Sequence, residues 1–534
     1  MAQTRNALLS VYDKTGIEDF AQKLVAMGWT IYSSGGTAKV LEAAAIPVID
    51  VATLVGGEAI LGHRVVTLSR EIHAGLLAQH TDVDRSEMSE LGIPYLDLVC
   101  FNFYPLAEEI ASATATTESV IEKTDIGGPA ALSAGAKGGR IVVADPNEYN
   151  SIISWLEAGE PDKDAYIQTL RAAAFFAASR YYLPAATYHS GGEYDGIFGR
   201  RLQELTYGEN PYMNPASLYE TDTDDPLALG NFKLITGSGR SMIGITDTHR
   251  SLQLITHIAA GFDKNTGRVP HIAIGMKHGN PCGAAVGDNA RDVMKRMIAG
   301  NARAIFGGFV MTNFPITQEI AEEMLSKDES AAPRLFDGIF APSFDDAAPD
   351  ILKRFKGKCR MMTNPALGTL SIDSLDTTPL RRYVRGGYIL QPNYTHVLDI
   401  DASTSYGTPL TQSQKDDLTL AWGIGSVCNS NTISIVKHGM LIGNGVGQQD
   451  RVGAAELAVK RAIDAGHDLD GAVAYSDSFF PAPDGPVVLA SAGVKVIFAT
   501  SGSRRDDETI EACKNLDVSL LMQPDADARG FAQH

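Results

Sequence analysis

Cysteine is scarce in this sequence. Five residues (Cys100, Cys282, Cys359, Cys428 and Cys513) stand far apart in 534, with no C-x-x-C pair. That spacing gives neither a disulfide framework nor a zinc cluster, and it predicts reduced thiols in a cytosol. Positive charge is in short supply too: 45 Lys and Arg face 64 Asp and Glu, a formal net charge of −19. Such a field repels nucleic acid and anionic lipid, so neither is an expected partner. Small anions stay admissible, because one Arg or one helix N-terminus can hold a phosphate. Long apolar runs are missing as well. Residues 418–436, the longest uncharged stretch, include Cys428-Asn429-Ser430-Asn431-Thr432 and are too polar to span a bilayer. The apolar start reaches only to Asp13, too short for a signal peptide. The expected class is a soluble cytoplasmic protein without short-period repeats or low-complexity tracts.

What is present is an ordinary globular balance, 44% hydrophobic and 20% charged. At about 100–200 residues per domain the length predicts roughly three to five domains or lobes. The first 50 residues alternate strand and helix. Leu8-Leu9-Ser10-Val11 reads as a strand, and Ile17, Phe20, Ala21, Leu24 and Val25 share one helix face that ends at Gly28. Thr30-Ile31-Tyr32 reads as a second strand, residues 38–45 as a helix and residues 47–51 as a third strand, with more strands at 96–101 and 141–144. Repeated β-α-β units predict an α/β, mostly parallel, doubly wound sheet. A helical pattern from about residue 165 runs to Tyr182, and residues 187–195, rich in Gly and Ser, read as a linker. The predicted division is residues 1–195 and 196–534, the second part a longer mixed α/β region.

Two strand-to-helix turns carry hydroxyls and glycines: Ser10-Val11-Tyr12-Asp13-Lys14-Thr15-Gly16 and Ser33-Ser34-Gly35-Gly36-Thr37. Small residues let a phosphate approach free N–H groups at a helix start. Plain capping explains either turn alone, but two on neighbouring units, with Arg64 to add charge, favour a phosphate site. Tyr104, Asp125 and Lys137 could together move protons in a ring closure. As separate residues they read as a strand-end tyrosine, an N-cap aspartate and a surface lysine.

The sharpest string in the second part is Lys277-His278-Gly279-Asn280-Pro281-Cys282-Gly283, directly after an apolar strand. His titrates near neutrality, and a neighbouring Lys can stabilise negative charge developing on an acceptor. A surface His-Lys pair is the blander alternative, yet few surface turns need so much Gly, Asn and Pro. Zinc deaminases use H-x-E with a later P-C-x-x-C. Here Asn280 stands at the Glu position and no second Cys follows Cys282, so no metal site is expected. Weaker signals are Tyr207-Gly208-Glu209-Asn210-Pro211, the run Gly443-Asn444-Gly445-Val446-Gly447 flanked by Asn431, Gln448, Gln449 and Arg451, and Ser476-Asp477-Ser478-Phe479-Phe480 before Asp484. Paired Phe usually belongs to a core, but Phe479 could also stack on a flat heterocycle.

Taken in order, L-L-S-V-Y-D-K-T-G, S-S-G-G-T-A-K, T-D-I-G-G-P-A-A, Y-G-E-N-P, K-H-G-N-P-C-G, S-D-S-F-F-P-A-P-D and S-G-S-R-R-D-D-E resemble the bifunctional purine-biosynthesis enzymes that are both AICAR transformylase and IMP cyclohydrolase. The resemblance covers essentially the whole chain. It implies a methylglyoxal-synthase-like N-terminal domain that closes 5-formyl-AICAR to IMP. It also implies paired cytidine-deaminase-like lobes, without zinc, that transfer a formyl group from 10-formyltetrahydrofolate to AICAR. No tightly bound cofactor is implied, and the family forms homodimers with the transformylase site at the subunit interface. By position, Ser10, Lys14, Ser34, Gly35, Gly36, Thr37 and Arg64 match the cyclohydrolase phosphate site, and Tyr104, Asp125 and Lys137 its catalytic positions. Lys277 and His278 match the transformylase pair. Tyr207, Asn431, Gln449, Arg451, Phe479, Asp484 and Arg529 match positions that hold AICAR or the folate.

Three departures stand out. The family's R-V-K-T-L-H-P is here Arg64-Val65-Val66-Thr67-Leu68-Ser69-Arg70, so a catalytic lysine position holds Val66. Thr206 replaces the Arg before Tyr207, and Gly244 replaces an Asn. The rival readings are a formyltransferase whose N-terminal domain is a scaffold and a non-catalytic nucleotide sensor. The Lys277-His278 pair with Asn431, Phe479 and Asp484 favours an enzyme over the sensor.

Overall fold

The structure, a computed structural model, describes residues 5–57, 59–61, 65–237, 241–326, 334–354 and 357–532. It divides into two compact units, Met1–Phe198 and Gly199–His534. The first is built on strands β1 (Asn6–Val11), β2 (Thr30–Ser33), β3 (Ile49–Asp50), β4 (Leu98–Asn102) and β5 (Ile141–Val143). They pair in parallel in the order β3-β2-β1-β4-β5. Ala7, Leu8, Leu9, Leu98 and Val99 have no exposed surface, as expected of strands covered on both faces. The strand order reverses between β1 and β4, so a crevice opens at their carboxyl ends.

Local differences from the sequence reading have simple causes. The third strand shrinks to two exposed edge residues, Ile49 and Asp50. The second helix starts earlier, at Gly35, because Ser34 is extended (φ −140°, ψ 163°) and acts as N-cap. Gly35, Gly36 and Thr37 therefore form its first turn, with N–H groups at the carboxyl edge of the sheet. The presumed linker begins as helix. Lys163–His189 is continuous through Pro184, and the Thr187 hydroxyl donates to the Leu183 carbonyl (3.1 Å) inside it.

The second unit opens with the hairpin β6 (Arg200–Leu205) and β7 (Ala216–Glu220), then β8 (Lys233–Thr236). Next come β9 (His271–Lys277), β10 (Asn280–Gly287), β11 (Gly308–Thr312), β12 (Phe336–Ala341) and β13 (Arg360–Thr363). A second hairpin, β14 (Leu380–Val384) and β15 (Gly387–Gln391), precedes β16 (Thr404–Tyr406) and β17 (Ile433–Lys437). The rest are β18 (Met440–Gly445), β19 (Val473–Ser476), β20 (Val496–Ser501) and β21 (Ser519–Pro524). Outside the hairpins, one mixed twelve-stranded sheet runs β16-β21-β20-β19-β17-β18-β10-β9-β11-β12-β13-β8.

That order contains an internal repeat with a long period, which composition alone did not reveal. The run β10-β9-β11-β12-β13 mirrors β18-β17-β19-β20-β21, and the copies meet where β10 pairs antiparallel with β18. Each begins with a helix (Met242–Thr266; Gln412–Gly425) that sends an aspartate to the first hairpin turn of its copy. Asp247 accepts from Gly279 N (2.5 Å), and Asp417 accepts from His438 N (3.0 Å) and Gly439 N (2.6 Å). The two turns read Lys277-His278-Gly279 and Lys437-His438-Gly439, with His φ of 54° and 52°. The strand directions place them at opposite edges of the sheet.

The Gly-rich run 443–447 also has a structural cause. The helix Arg451–Asp464 lies against β18 so closely that a Cβ on Gly445 would meet the Ala454 carbonyl at 2.0 Å. Close helix–strand packing accounts for that glycine without a ligand.

Candidate functional site

In the first unit, the two turns after β1 and β2 meet. Thr37 is buried, accepts from Val11 N (3.0 Å) and donates to Val11 O (3.1 Å), which fixes the start of its helix against the end of β1. Lys14 folds over the same turn, its Nζ donating to the Val11 and Tyr12 carbonyls and its stem passing Gly36. Burial lowers the Lys14 pKa, partly opposed by Asp13. Half-buried Ser10 and Ser34 and exposed Gly35 and Gly36 complete a cradle of donors open to solvent. Arg64 lies outside the described residues.

Tyr104 and Asp125 come together beside this cradle. Asp125 accepts from Gly128 N (2.9 Å), and a Cβ on Gly128 would stand 2.6 Å from Asp125 Oδ2, so glycine is required there. Burial pushes the Asp125 carboxyl above its usual range, against the pull of those backbone donors. Burial also raises Tyr104, with the Asp125 charge adding to it. Sequence reading missed the surrounding ring of groups. Tyr12 meets Tyr104 edge-on at 5.3 Å, Lys123 Nζ lies 5.9 Å from the Tyr12 ring, and Tyr181 OH accepts from Asp125 N (2.8 Å). Tyr181 is reached from a helix more than fifty residues on, so no local pattern marks it.

Lys137 is not in this cluster. It ends the helix Gly127–Lys137 that Asp125 precedes, so at ~1.5 Å per residue the helix length separates the two by about 15 Å. Val66 is half-buried and packs its apolar side chain on the core, while Thr67 Oγ1 stands 3.1 Å from where a Cβ on Gly127 would be. The strand-to-helix segment that bears Val66 therefore passes the start of the Asp125 helix.

A raised folded-state pKa means that Asp125 adds to stability only at acid pH, and that this contribution is lost as pH rises through the raised value. Asp125→Asn is accordingly expected to melt above the wild type at neutral pH. The gap should close as pH falls toward the ordinary carboxylate range of about 4. Thermal melts at the two pH values check this, and a gap that widens on acidification would contradict it.

In the second unit, Lys277 Nζ donates to the Phe306 carbonyl (2.6 Å), while His278 is exposed at the tip of the turn. A cleft of about 570 Å³ opens beside them, lined by Asn280, Cys282, Arg303, Asn444 and Arg461 among others. Burial pushes the Cys282 thiol up to about 12, so it is no thiolate at neutral pH. The loops that carry Asn431, Gln449, Arg451, Phe479 and Asp484 leave the same edge of the sheet as the Lys277-His278 turn. Counted from β10, the loop bearing Gln449 and Arg451 leaves β18 one strand spacing away, Asn431 enters β17 two away, and the loop bearing Phe479 and Asp484 leaves β19 three away, about 5–14 Å. One chain thus aligns these groups along one edge, and Asn444 and Val446 line the same cleft as Lys277 and His278.

Around Asn431 the groups are tightly knit. Arg451 donates to Asn431 Oδ1 (2.7 Å) and pairs with fully buried Asp477, and Asn431 donates to the Gln448 carbonyl (2.9 Å). Gln448, not the exposed Gln449, holds Asn431 in place. Phe480 belongs to the core and Phe479 stays half-exposed above it. Asp484 is exposed in the first turn of its helix. Arg529 pairs with Asp525, which also accepts from Ser478 Oγ (2.9 Å), tying the chain end to the Phe479 loop. Half-buried Tyr207 lies next to Arg360, at the far end of the same edge, its carbonyl accepting from Met242 N (3.3 Å).

A family model described as the AICARFT/IMPCHase bienzyme matches residues 138–461, and one described as an MGS-like domain matches residues 16–130. The chain is similar to the bifunctional purine biosynthesis protein PurH of Rhodopirellula baltica, at 34% identity over 97% of each chain. It is also similar to that of Acidithiobacillus ferrooxidans, at 34% over 98% of each. The protein of that name from Oceanobacillus iheyensis is 31% identical, over 97% of this chain and 98% of its own.

Proposed function

Since this chain belongs to the AICARFT/IMPCHase bienzyme family of de novo purine biosynthesis, we propose that its two units divide the two reactions between them. Residues 1–195, with the MGS-like parallel sheet, close 5-formyl-AICAR to IMP. Residues 196–534 transfer the formyl group, and their two mirrored copies are cytidine-deaminase-like lobes that lack the zinc ligands. The cosubstrate is 10-formyltetrahydrofolate. Arg303 and Arg461 in the cleft beside Lys277 and His278 suit its carboxylates.

In formyl transfer the AICAR amine attacks the formyl carbon and the bond to the folate N10 breaks. His278 takes the proton from the amine, and Lys277 stabilises the formyl oxygen or the departing nitrogen. Asn431, Gln449, Arg451, Phe479, Asp484, Arg529 and Tyr207 hold the substrates. In ring closure the carboxamide nitrogen attacks the formyl carbon and water leaves. Ser10, Lys14, Ser34, Gly35, Gly36, Thr37 and Arg64 hold the phosphate while Tyr104 and Asp125 move protons. Lys137, at the other end of its helix, does not act from the same chain.

The observation that carries this reading is the shared sheet edge, with the Lys277-His278 turn and the Asn431–Asp484 loops one to three strands apart along it. The hairpin β14–β15 offers a surface for a second chain: Tyr383, Val384, Ile389 and Leu390 are exposed on it. We take the protein to be a cytosolic homodimer. Among the described residues no helix is long and apolar enough to cross a membrane.

The test is purified protein with AICAR and 10-formyltetrahydrofolate, following 5-formyl-AICAR and IMP separately. Both products are expected. Val66→Lys should raise ring closure from 5-formyl-AICAR by up to about 10²-fold, the lower end of what one positioned proton-transfer group supplies. Formyl transfer with IMP formed only at the spontaneous rate would favour the scaffold reading. Binding without turnover would favour the sensor.

A further inference from the structure

Arg250 lies in the helix Met242–Thr266, one turn after Asp247, with only 4% of its surface exposed. Its fork reaches three carbonyl oxygens. Nη2 donates to the Val427 carbonyl, Nη1 to Gln253 Oε1 (2.9 Å) and Nε toward the Gly279 carbonyl (3.5 Å). Gly279 is the last residue of the Lys277-His278-Gly279 turn and has φ +71°. The turn is therefore held on both sides by one helix, its N–H group by Asp247 and its carbonyl by Arg250.

Val427 belongs to the other copy of the repeat. The chain runs from it through Cys428 to Asn431, which Arg451 and Gln448 clamp. Arg250 is thus a bridge between the turn bearing His278 and the loop bearing Asn431. The second copy has no such bridge at the corresponding place. Asp417 holds the His438-Gly439 turn as Asp247 holds its own, but three residues on stands the buried Leu420. The two turns share sequence, backbone conformation and aspartate anchor, and they differ in this arginine.

We propose that Arg250 is a positioning residue for formyl transfer, fixing the spacing between the His278 turn and the Asn431 loop through the Gly279 and Val427 carbonyls. This rests on the reading that the Lys277-His278 turn carries that reaction. The planar fork suits the task, because it presents several donors in fixed directions where a lysine presents one charge on a flexible stem. Misplacement of reacting groups by ~1 Å can cost about 10²-fold in rate.

The experiment uses the full-length protein. Formyl transfer is measured as kcat and KM across pH, and IMP formation from 5-formyl-AICAR by the other unit serves as the internal control. Arg250→Gln is expected to lower the transformylase kcat about 10²-fold. The control rate, the shape of the pH profile and the thermal transition should stay as in the wild type. Arg250→Lys keeps the charge without the fork and should recover only part of the loss. Full recovery in Arg250→Lys, or an unchanged kcat in Arg250→Gln, would overturn the proposal. So would a kcat loss that merely tracks a lowered thermal transition. His278→Ala run alongside separates the two claims. If it turns over normally, the assignment of the turn fails and this proposal with it. If it is slow while Arg250→Gln is normal, only the proposal fails.

Discussion

His278→Ala is expected to slow formyl transfer by about 10²–10⁴-fold while leaving ring closure of 5-formyl-AICAR at the wild-type rate. The magnitude is that of one general acid–base group acting on a weakly nucleophilic amine. The side chain stands exposed at the tip of a turn whose backbone is fixed by Asp247, so its removal opens no core cavity and leaves that anchor in place. Asp247 is itself buried, and burial raises its carboxyl against the N–H groups of Gly279 and His278. Rates at saturating AICAR and 10-formyltetrahydrofolate decide the matter. Turnover within a few-fold of wild type would remove His278 from the mechanism.

Asp477→Ala should be the most destabilising single change in the second unit's site, at about 3–5 kcal/mol. Asp477 has no exposed surface and Arg451 only 9%, and the carboxylate also accepts from Thr432 N (3.2 Å). Deleting the acid strands a buried guanidinium that also holds Asn431, so AICAR binding should weaken together with stability. The double change Asp477→Leu with Arg451→Met should cost less than Asp477→Ala alone, because no unpaired charge then remains inside. Denaturant unfolding of the three proteins checks the order. A double variant less stable than Asp477→Ala would show that the pair contributes more than it costs in desolvation.

The sequence by itself determined whatever depends on neighbours in the chain. Apolar runs such as Leu8-Leu9 and the i, i+3, i+4 spacing of Ile17, Phe20 and Ala21 specify a strand and an amphipathic helix without reference to distant residues. Ordered motifs such as T-D-I-G-G-P-A-A and K-H-G-N-P-C-G carry the family, because each places particular side chains at one turn. The Lys-His-Gly string also recurs at 437, but only the mirrored order of the sheet gives that recurrence a meaning.

Tertiary structure decided everything that depends on where a helix or strand ends in space. Asp125 and Lys137 fall in one short stretch of the chain, yet the rigid rise of the helix Gly127–Lys137 sets Lys137 at its far end from Asp125. Tyr181 reaches Asp125, and Arg250 joins Gly279 to Val427, across separations that no periodicity records. The glycine at 445 suggested a ligand loop but serves the contact of a helix with β18. Two identical Lys-His-Gly turns took different surroundings because antiparallel pairing of β10 with β18 sends them to opposite edges of one sheet, where different loops await them. Local pattern fixes a residue's conformation, whereas strand direction and helix length fix its neighbours, and chemistry is done by neighbours.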